Sequence, residues 1–300
     1  MAGKQRAFFK QRQLIMKELT WIRVQKQADT FLASGVDQLL KSKALGFQEE
    51  FPKYPGNYLV SKNGFTYIGE SKDLAKRIKQ HAKKNTSTFY KNYLKAADVQ
   101  HNSSHHIQIE DFKVQHVATN FGRKEIEEFG IVNIPANLNK FQLGKRHKYE
   151  GVIDTGLWGR TQSEAQNLLL QGEKLLHAVK PVKWFDAFPE SEPGLYWVEN
   201  EKDGLIYIGE SSDLLSRWET HSGRTYFSAL RRHIGENILG FELLTINGRK
   251  RYFTDKEDGE VTKYLKKSVI RIFPVRLGRY EMEEYLINKY RPLLNRKGNS

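Results

Sequence analysis

The feature that most constrains this chain is that it repeats itself, because a tandem duplication dictates how many folding units there are and which residues occupy equivalent places. Tyr67-Ile68-Gly69-Glu70-Ser71-Lys72-Asp73-Leu74 returns as Tyr207-Ile208-Gly209-Glu210-Ser211-Ser212-Asp213-Leu214, at an offset of 140 that also carries Arg77 to Arg217 and His81 to His221. Upstream, Trp21, Arg23, Gln25, Ala28, Leu32 and Gly35 recur as Trp158, Arg160, Gln162, Ala165, Leu169 and Gly172 at an offset of 137. Downstream, Gly122-Arg123-Lys124-Glu125-Ile126-Glu127-Glu128-Phe129 pairs with Gly278-Arg279-Tyr280-Glu281-Met282-Glu283-Glu284-Tyr285, and Leu138-Asn139 with Leu294-Asn295, at 156. Four segments follow: an N-terminal helical extension at 1–20, a first domain at 21–139, a linker at 140–157 and a second domain at 158–300. The linker carries three glycines and the cluster Lys145-Arg146-His147-Lys148, which reads as a solvated face.

Within one unit the patterning is α+β. Residues 161–178 place Ala165, Leu168, Leu169, Leu175 and Leu176 at helical spacing behind a Thr161 or Ser163 cap. Two β-rich runs, 194–198 and 205–209, flank an Asp203-Gly204 turn and form a hairpin. Ser211 can then cap a helix with Asp213 in its first turn, on which Arg217 and His221, four residues apart, share a face. A third strand is expected at 268–275, with its counterpart at 112–118, followed by a helix at 281–290 that stops before Pro292. Each unit is thus a small antiparallel three-stranded sheet flanked by helices.

Forty-nine Lys+Arg against thirty-five Asp+Glu give a net charge of +14, which points to a polyanionic partner and first of all to nucleic acid. No apolar run approaches the roughly eighteen residues that a membrane helix needs. The N-terminus lacks a secretory pattern, so a cytoplasmic location is expected. With no cysteine, disulfides, thiolate metal sites and a cysteine nucleophile are excluded. Any metal is expected to be hard and oxygen-bound.

Taken together, Gly194-Leu195-Tyr196, Tyr207-Ile208-Gly209, Arg217, His221, Glu283 and Asn295 resemble the GIY-YIG nuclease superfamily. The first copy presents Gly56-Asn57-Tyr58, Tyr67-Ile68-Gly69, Arg77, His81, Glu127 and Asn139 in the same order. The resemblance implies a DNA endonuclease, and the duplication makes it similar to type II restriction enzymes of that superfamily, one active site serving each strand of double-stranded DNA. Neither a membrane nor an obligate protein partner is implied. The alternatives are a structure-specific or low-specificity phage or repair nuclease, and an inert tandem DNA-binding protein.

On this resemblance Glu127 and Glu283 are the expected ligands of one Mg2+ each, with Mn2+ able to substitute. Arg77 and Arg217 clamp the phosphoryl charge, since a guanidinium stays protonated and offers a planar fork of donors. Tyr58 and Tyr196 are the expected general bases, with Tyr67 and Tyr207 orienting water or phosphate, although the roles can be exchanged. A phenol with a pKa of about 10 needs a cation beside it for that task. His81 and His221 either share a proton with the tyrosine or bind the phosphate. Asn139 and Asn295 brace the cleft, and Gly69 and Gly209 are expected to admit the substrate. The first copy has a hairpin two residues shorter and Gly130 inside its Glu127 helix, so the second copy is the better site.

Phosphate contacts are expected from the stretch between His221 and Glu283, which holds Arg224, Arg231, Arg232, His233, Arg249, Lys250, Arg251, Lys263, Lys266 and Lys267. The first copy offers His101, Asn102, His105 and His106 there, and the N-terminal extension Lys4, Arg6, Lys10, Arg12 and Lys17.

Overall fold

The structure, a computed structural model, describes residues 19–83, 87–100, 109–139 and 146–295. The extension at 1–20 lies outside them apart from Leu19 and Thr20, as do its basic residues and the histidines at 101, 105 and 106. Among the described residues, no helix is long and apolar enough to cross a membrane.

The first copy runs α1 (Trp21–Lys26), α2 (Ala28–Lys41), β1 (Leu45–Gly46), β2 (Gly56–Lys62), β3 (Phe65–Ser71), α3 (Leu74–His81), α4 (Thr88–Gln100), β4 (Lys113–Ala118) and α5 (Arg123–Asn133). The second runs α6 (Gly156–Ser163), α7 (Ala165–Ala178), β5 (Val182–Lys183), β6 (Gly194–Asn200), β7 (Gly204–Ser211), α8 (Leu214–Ser222), α9 (Ala229–Asn237), β8 (Leu244–Ile246), β9 (Arg249–Tyr252), α10 (Asp255–Lys266), β10 (Ser268–Pro274) and α11 (Arg279–Tyr290). The sheets are β1-β4-β2-β3 and β5-β10-β6-β7, antiparallel throughout. The three expected strands are therefore joined by a fourth, two-residue edge strand too short to leave a periodic signal.

Local chemistry explains the hairpins. Asn63 and Gly64 both have positive φ (48° and 81°), the backbone that a tight two-residue connection demands. The longer turn of the second copy is accommodated by a register shift between Val198 and Glu199. The single helix expected after Thr161 or Ser163 is broken at Glu164, as its counterpart is at Gln27. Thr161 lies inside α6, where its Oγ1 donates to Leu157 O at 2.9 Å and leaves no cap.

Strand alternation sends the two faces of each sheet to different places. Leu59, Ile68, Leu195, Trp197 and Ile208 enter one core common to both copies, together with Phe31, Leu32, Ile126, Phe129 and Met282. Tyr58, Val60 and Tyr67 face a second cluster beneath α3 and α4, and Tyr196 and Val198 face a third, which Tyr207 joins from its edge. Gly130, which costs helix propensity in α5, lets Ile68 pack closely beneath that helix: a Cβ there would meet the end of the Ile68 side chain.

The copies exchange their first helices. Trp21 of α1 stacks on Phe273 of β10 (5.9 Å, 17°), and its backbone N–H donates to Gln171 Oε1 at 2.8 Å. Trp158 of α6 sits against Gly35 of α2 and donates its backbone N–H to Ser34 Oγ at 3.2 Å. Gln25 accepts from Arg276 N and Leu277 N (2.7 and 3.0 Å) while donating to Leu277 O, and Gln162 does the same for Asn120 N, Phe121 N and Phe121 O. The helices α5 and α11 begin at Gly122 and Gly278, both left-handed, and neither has a side-chain cap of its own. Glu281 instead accepts from Gly122 N (2.8 Å), Arg123 N (3.2 Å) and Arg123 Nε (2.9 Å), and Glu125 accepts from Gly278 N (3.2 Å) and Arg279 N (3.4 Å). Arg146, expected in solvent, is buried in this seam, where it donates to Arg276 O at 2.7 Å and faces Asp29 at 3.5 Å.

Glu281→Ala is expected to lower stability by about 3 kcal/mol, since it strands the buried Arg123 and two backbone donors. Chemical denaturation checks this, and a loss under 1 kcal/mol would count against the cap.

Candidate active sites

Each candidate site grows from the facing tyrosines of one hairpin. Tyr58 lies across from Gly69 and Tyr196 across from Gly209 in the strand register. A Cβ on either glycine would strike the tyrosine ring and hydroxyl. The glycines expected to admit substrate thus make room for the first tyrosine of their own hairpin.

Helices α3 and α8 start at Asp73 and Asp213, whose carboxylates accept from Lys76 N (2.9 Å) and Ser216 N (3.2 Å). One face of each helix then brings its Arg and His to the tyrosines. The Tyr58 hydroxyl lies 2.7 Å from His81 Nε2 and receives Arg77 Nε at 3.3 Å, and the Tyr196 hydroxyl lies 2.9 Å from His221 Nε2. Both imidazoles are buried, at 2% and 1% exposure, with Nε2 turned to the first tyrosine of the hairpin.

A residue that the sequence reading missed completes each relay. His81 Nδ1 is 3.1 Å from Ser87 Oγ, and His221 Nδ1 is 2.7 Å from Ser228 Oγ. Each serine oxygen already accepts a backbone N–H, from Tyr90 and Arg231 respectively, both at 3.1 Å. The acceptor that remains for the buried hydroxyl proton is Nδ1. Satisfaction of these groups therefore assigns the proton of the imidazole to Nε2, from which it donates to the phenolic oxygen. The signal in the sequence was a serine six or seven residues after the histidine.

Electrostatics differ between the copies. Burial, followed by the neighbouring phenols Tyr67 and Tyr207, pushes Tyr58 and Tyr196 well above the usual phenol range, with Arg77 and Arg217 opposing. Burial, then Arg77 or Arg217, pushes His81 and His221 down to about 3. Glu283 is driven up to about 8 by burial and by the charge of Glu210, and its Oε1 accepts from Glu210 N at 3.1 Å. Glu127 is raised too, by burial first, but Lys124 Nζ donates to it at 2.7 Å. Tyr280 stands at the matching place in the second copy.

Asn139 and Asn295 sit behind the hairpin, accepting from Ile68 N and Ile208 N (both 2.9 Å) and donating to Ile68 O and Ile208 O (both 2.7 Å). They tie the segment after α5 or α11 to the middle strand. Arg77, Arg217, Tyr207 and Glu283 are only half-buried and form the accessible side. In the first copy a cavity of ≈ 400 Å³ opens beside Arg77, His81, Ser87 and Thr88.

Among the described residues no three His, Asp or Glu side chains gather into a ready-made metal cage. The donor set is instead a carboxylate pair in each copy, Glu127 with Glu70 and Glu283 with Glu210, in which burial first and then the charge of Glu70 or Glu210 raises the helix glutamate. Glu70 Oε2 is buried without a hydrogen bond. One or two carboxylates suit a hard cation that keeps most of its water and takes the remaining ligands from a phosphate.

The GIY-YIG catalytic domain matches this chain twice, over residues 57–129 and 180–300. The chain belongs to the GIY-YIG family. It is a tandem nuclease of that family, with a doubled α+β catalytic domain. No curated protein and no solved structure matches it.

The neutral histidines carry a pH signature. A histidine whose folded pKa is depressed supports stability fully above its unfolded value near 6.5 and loses that support as pH falls toward 3. Between pH 7 and pH 5 the loss is about 2 kcal/mol for each. The raised Glu283 carboxyl contributes with the opposite sign, so the measurement is the difference between wild type and His221→Gln. The variant is expected to lose less stability over that interval, and parallel curves would show that folding does not shift the titration of His221.

Proposed function

We propose that this chain is a magnesium-dependent DNA endonuclease that cuts both strands of a duplex, each half acting on one, and that it is a sequence-specific type II restriction enzyme working as an intramolecular pseudo-dimer. The reading rests on one observation above all. Two copies of the same Tyr, Arg, His and Glu constellation are joined through reciprocal caps, Glu281 on Gly122 and Glu125 on Gly278. Their active-site faces, meanwhile, remain outside the shared core.

The chemistry follows from the groups present. In each half the first tyrosine, Tyr58 or Tyr196, serves as general base toward water. The imidazole Nε2–H donates to its oxygen and the arginine lies beside it, so two positive or donating groups favour the anionic phenol against the penalty of burial. Arg77 and Arg217 also reach the accessible side, where a guanidinium covers the charge that develops on the phosphoryl oxygens. Tyr67 and Tyr207 orient the water or the phosphate. Glu127 and Glu283 would hold the cation, which when bound polarises the phosphate, stabilises the departing 3′ oxygen and adds positive charge beside the phenols.

The halves are unequal on this reading. Lys124 already occupies the Glu127 carboxylate, and a cation must displace it, whereas Glu283 carries no such partner. The second site cuts first and the first completes the break.

Supercoiled plasmid with Mg2+ tests the proposal. Wild type is expected to give linear DNA in discrete bands, Glu127→Ala or Glu283→Ala to stop mainly at nicked circles, and the double variant to bind without cutting. Linear product from Glu127→Ala at the wild-type rate would show that the first site does not work. Tyr196→Phe should slow nicking by the second site about 10³-fold with binding intact, the scale of a lost general base; an unchanged rate would assign that role to Tyr207.

A further inference from the structure

The two copies differ most in what lies between histidine and glutamate, a stretch of 46 residues from His81 to Glu127 but 62 from His221 to Glu283. In the second copy part of this stretch is a two-stranded ribbon, β8 paired with β9, in a sheet of its own. Its turn is Asn247-Gly248, both at positive φ (51° and 73°), the tight connection of a free-standing hairpin. Leu244 and Ile246, two residues apart and hence on one face, are 44% and 46% exposed. A lone ribbon with uncovered apolar side chains is marginally stable and gains nothing for the core, which argues that it serves something outside the chain.

The base of this ribbon is fastened to the second candidate site. Tyr252 of β9 stacks on Tyr226 (4.8 Å, 27°), and Phe227, at 74% exposure, packs edge-on against the same ring (4.5 Å, 86°). The next residue is Ser228, the hydrogen-bond partner of His221. The aromatic cluster therefore stands one residue from the relay behind Tyr196.

The surroundings are cationic. Residues 222–254 contain six Lys or Arg against two carboxylates, Glu236 and Glu242. The Arg251 guanidinium lies over the Tyr226 ring at 5.8 Å, and Arg232, which donates to Tyr226 O at 3.0 Å, is held below the usual arginine range by burial and then by Arg251, with Glu236 opposing. Among the described residues, Arg224, Arg232 and Arg251 form no ion pair with a carboxylate. Arg231, expected on the phosphate side, is different: it is fully buried and bonded to Asp258 and Thr262, so it builds the scaffold.

We propose that the β8–β9 ribbon and the Tyr226–Phe227 edge are the duplex-reading element of the second half, with the ribbon entering the major groove, and that the target is therefore asymmetric in sequence. This deepens the nuclease reading and rests on it. A two-stranded ribbon fits the width of the major groove, and side chains on its exposed face reach base edges there. Uncompensated arginines at its base supply phosphate contacts. Among the described residues the first copy has no ribbon between α4 and β4, and its stretch from histidine to glutamate is 16 residues shorter than that of the second copy. Two chemically similar cutting sites that differ in this ribbon among the described residues do not demand a palindrome.

The test combines end-sequencing of wild-type digests with binding of a duplex carrying the sequence so found, over a range of salt. A non-palindromic consensus is expected. Arg251→Ala is expected to weaken binding about tenfold and to lower the slope of log affinity on log salt by about one, with Arg251→Lys restoring the slope. Phe227→Ala together with Ile246→Ser should relax the consensus on one side while cleavage of plasmid continues. A palindromic consensus, or variants that match wild type in affinity, slope and consensus while wild type cuts DNA, overturns the reader and leaves the nuclease. A wild type that cuts no DNA removes the nuclease reading and this inference with it.

Discussion

The molecule depends on carboxylates that cap helices across a seam. Helices α5 and α11 carry the glutamates expected to meet the metal, yet each begins on a left-handed glycine with no cap of its own. Each is finished by the other: Glu281 receives the start of α5 and Glu125 the start of α11. The buried arginines at these starts extend the exchange, Arg123 to Glu284 at 2.7 Å and Arg279 to Glu128 and to Glu210. Removing one partner leaves a charge without solvent or counter-ion, which is why such a seam tolerates so little change. Because Arg279 holds both Glu210, beside Glu283, and Glu128, next to Glu127, the electrostatics of the two sites are set in one network.

Around that seam the sheets divide labour by strand parity. In the first copy Leu59 and Ile68 of the hairpin build the common core, and their neighbours Tyr58, Val60 and Tyr67 point to the other side. The active-site face is consequently a wall of the fold, and its groups are held by packing: a glycine that accommodates a phenol, a serine that orients an imidazole, an asparagine that clamps the strand from behind. The arginine, the second tyrosine of the second copy and Glu283 are left half-open to a substrate.

Much of this was legible in the residues, because duplication filtered signal from chance. Tyr, Arg, His, Glu and Asn recur at fixed offsets, and the hairpins and their following helices announce themselves through turn and cap residues. What stayed hidden was whatever depends on partners distant in the chain. Gln25 and Gln162 were visible as a repeated pair, but nothing local says that each clasps a loop in the other copy. Gly130 read as a weak point in its helix until Ile68 was seen beneath it. Ser87 and Ser228 stand at slightly different distances from their histidines, so an offset search passes over them. Arg231 and Arg232 are neighbours of identical chemistry, and only packing separates the structural one from the accessible one.

The exchange of first helices also bears on how the polypeptide matures. Trp21 finds Phe273, and Gln25 finds Leu277, across 252 residues. During synthesis α1 leaves the ribosome early, Phe121 and Gln171 follow midway, and the Phe273 and Leu277 part of its docking surface is among the last to appear. Contacts of such sequence separation are slow to form. Assembly of the molecule therefore closes like a clasp, with the first helix fastened last.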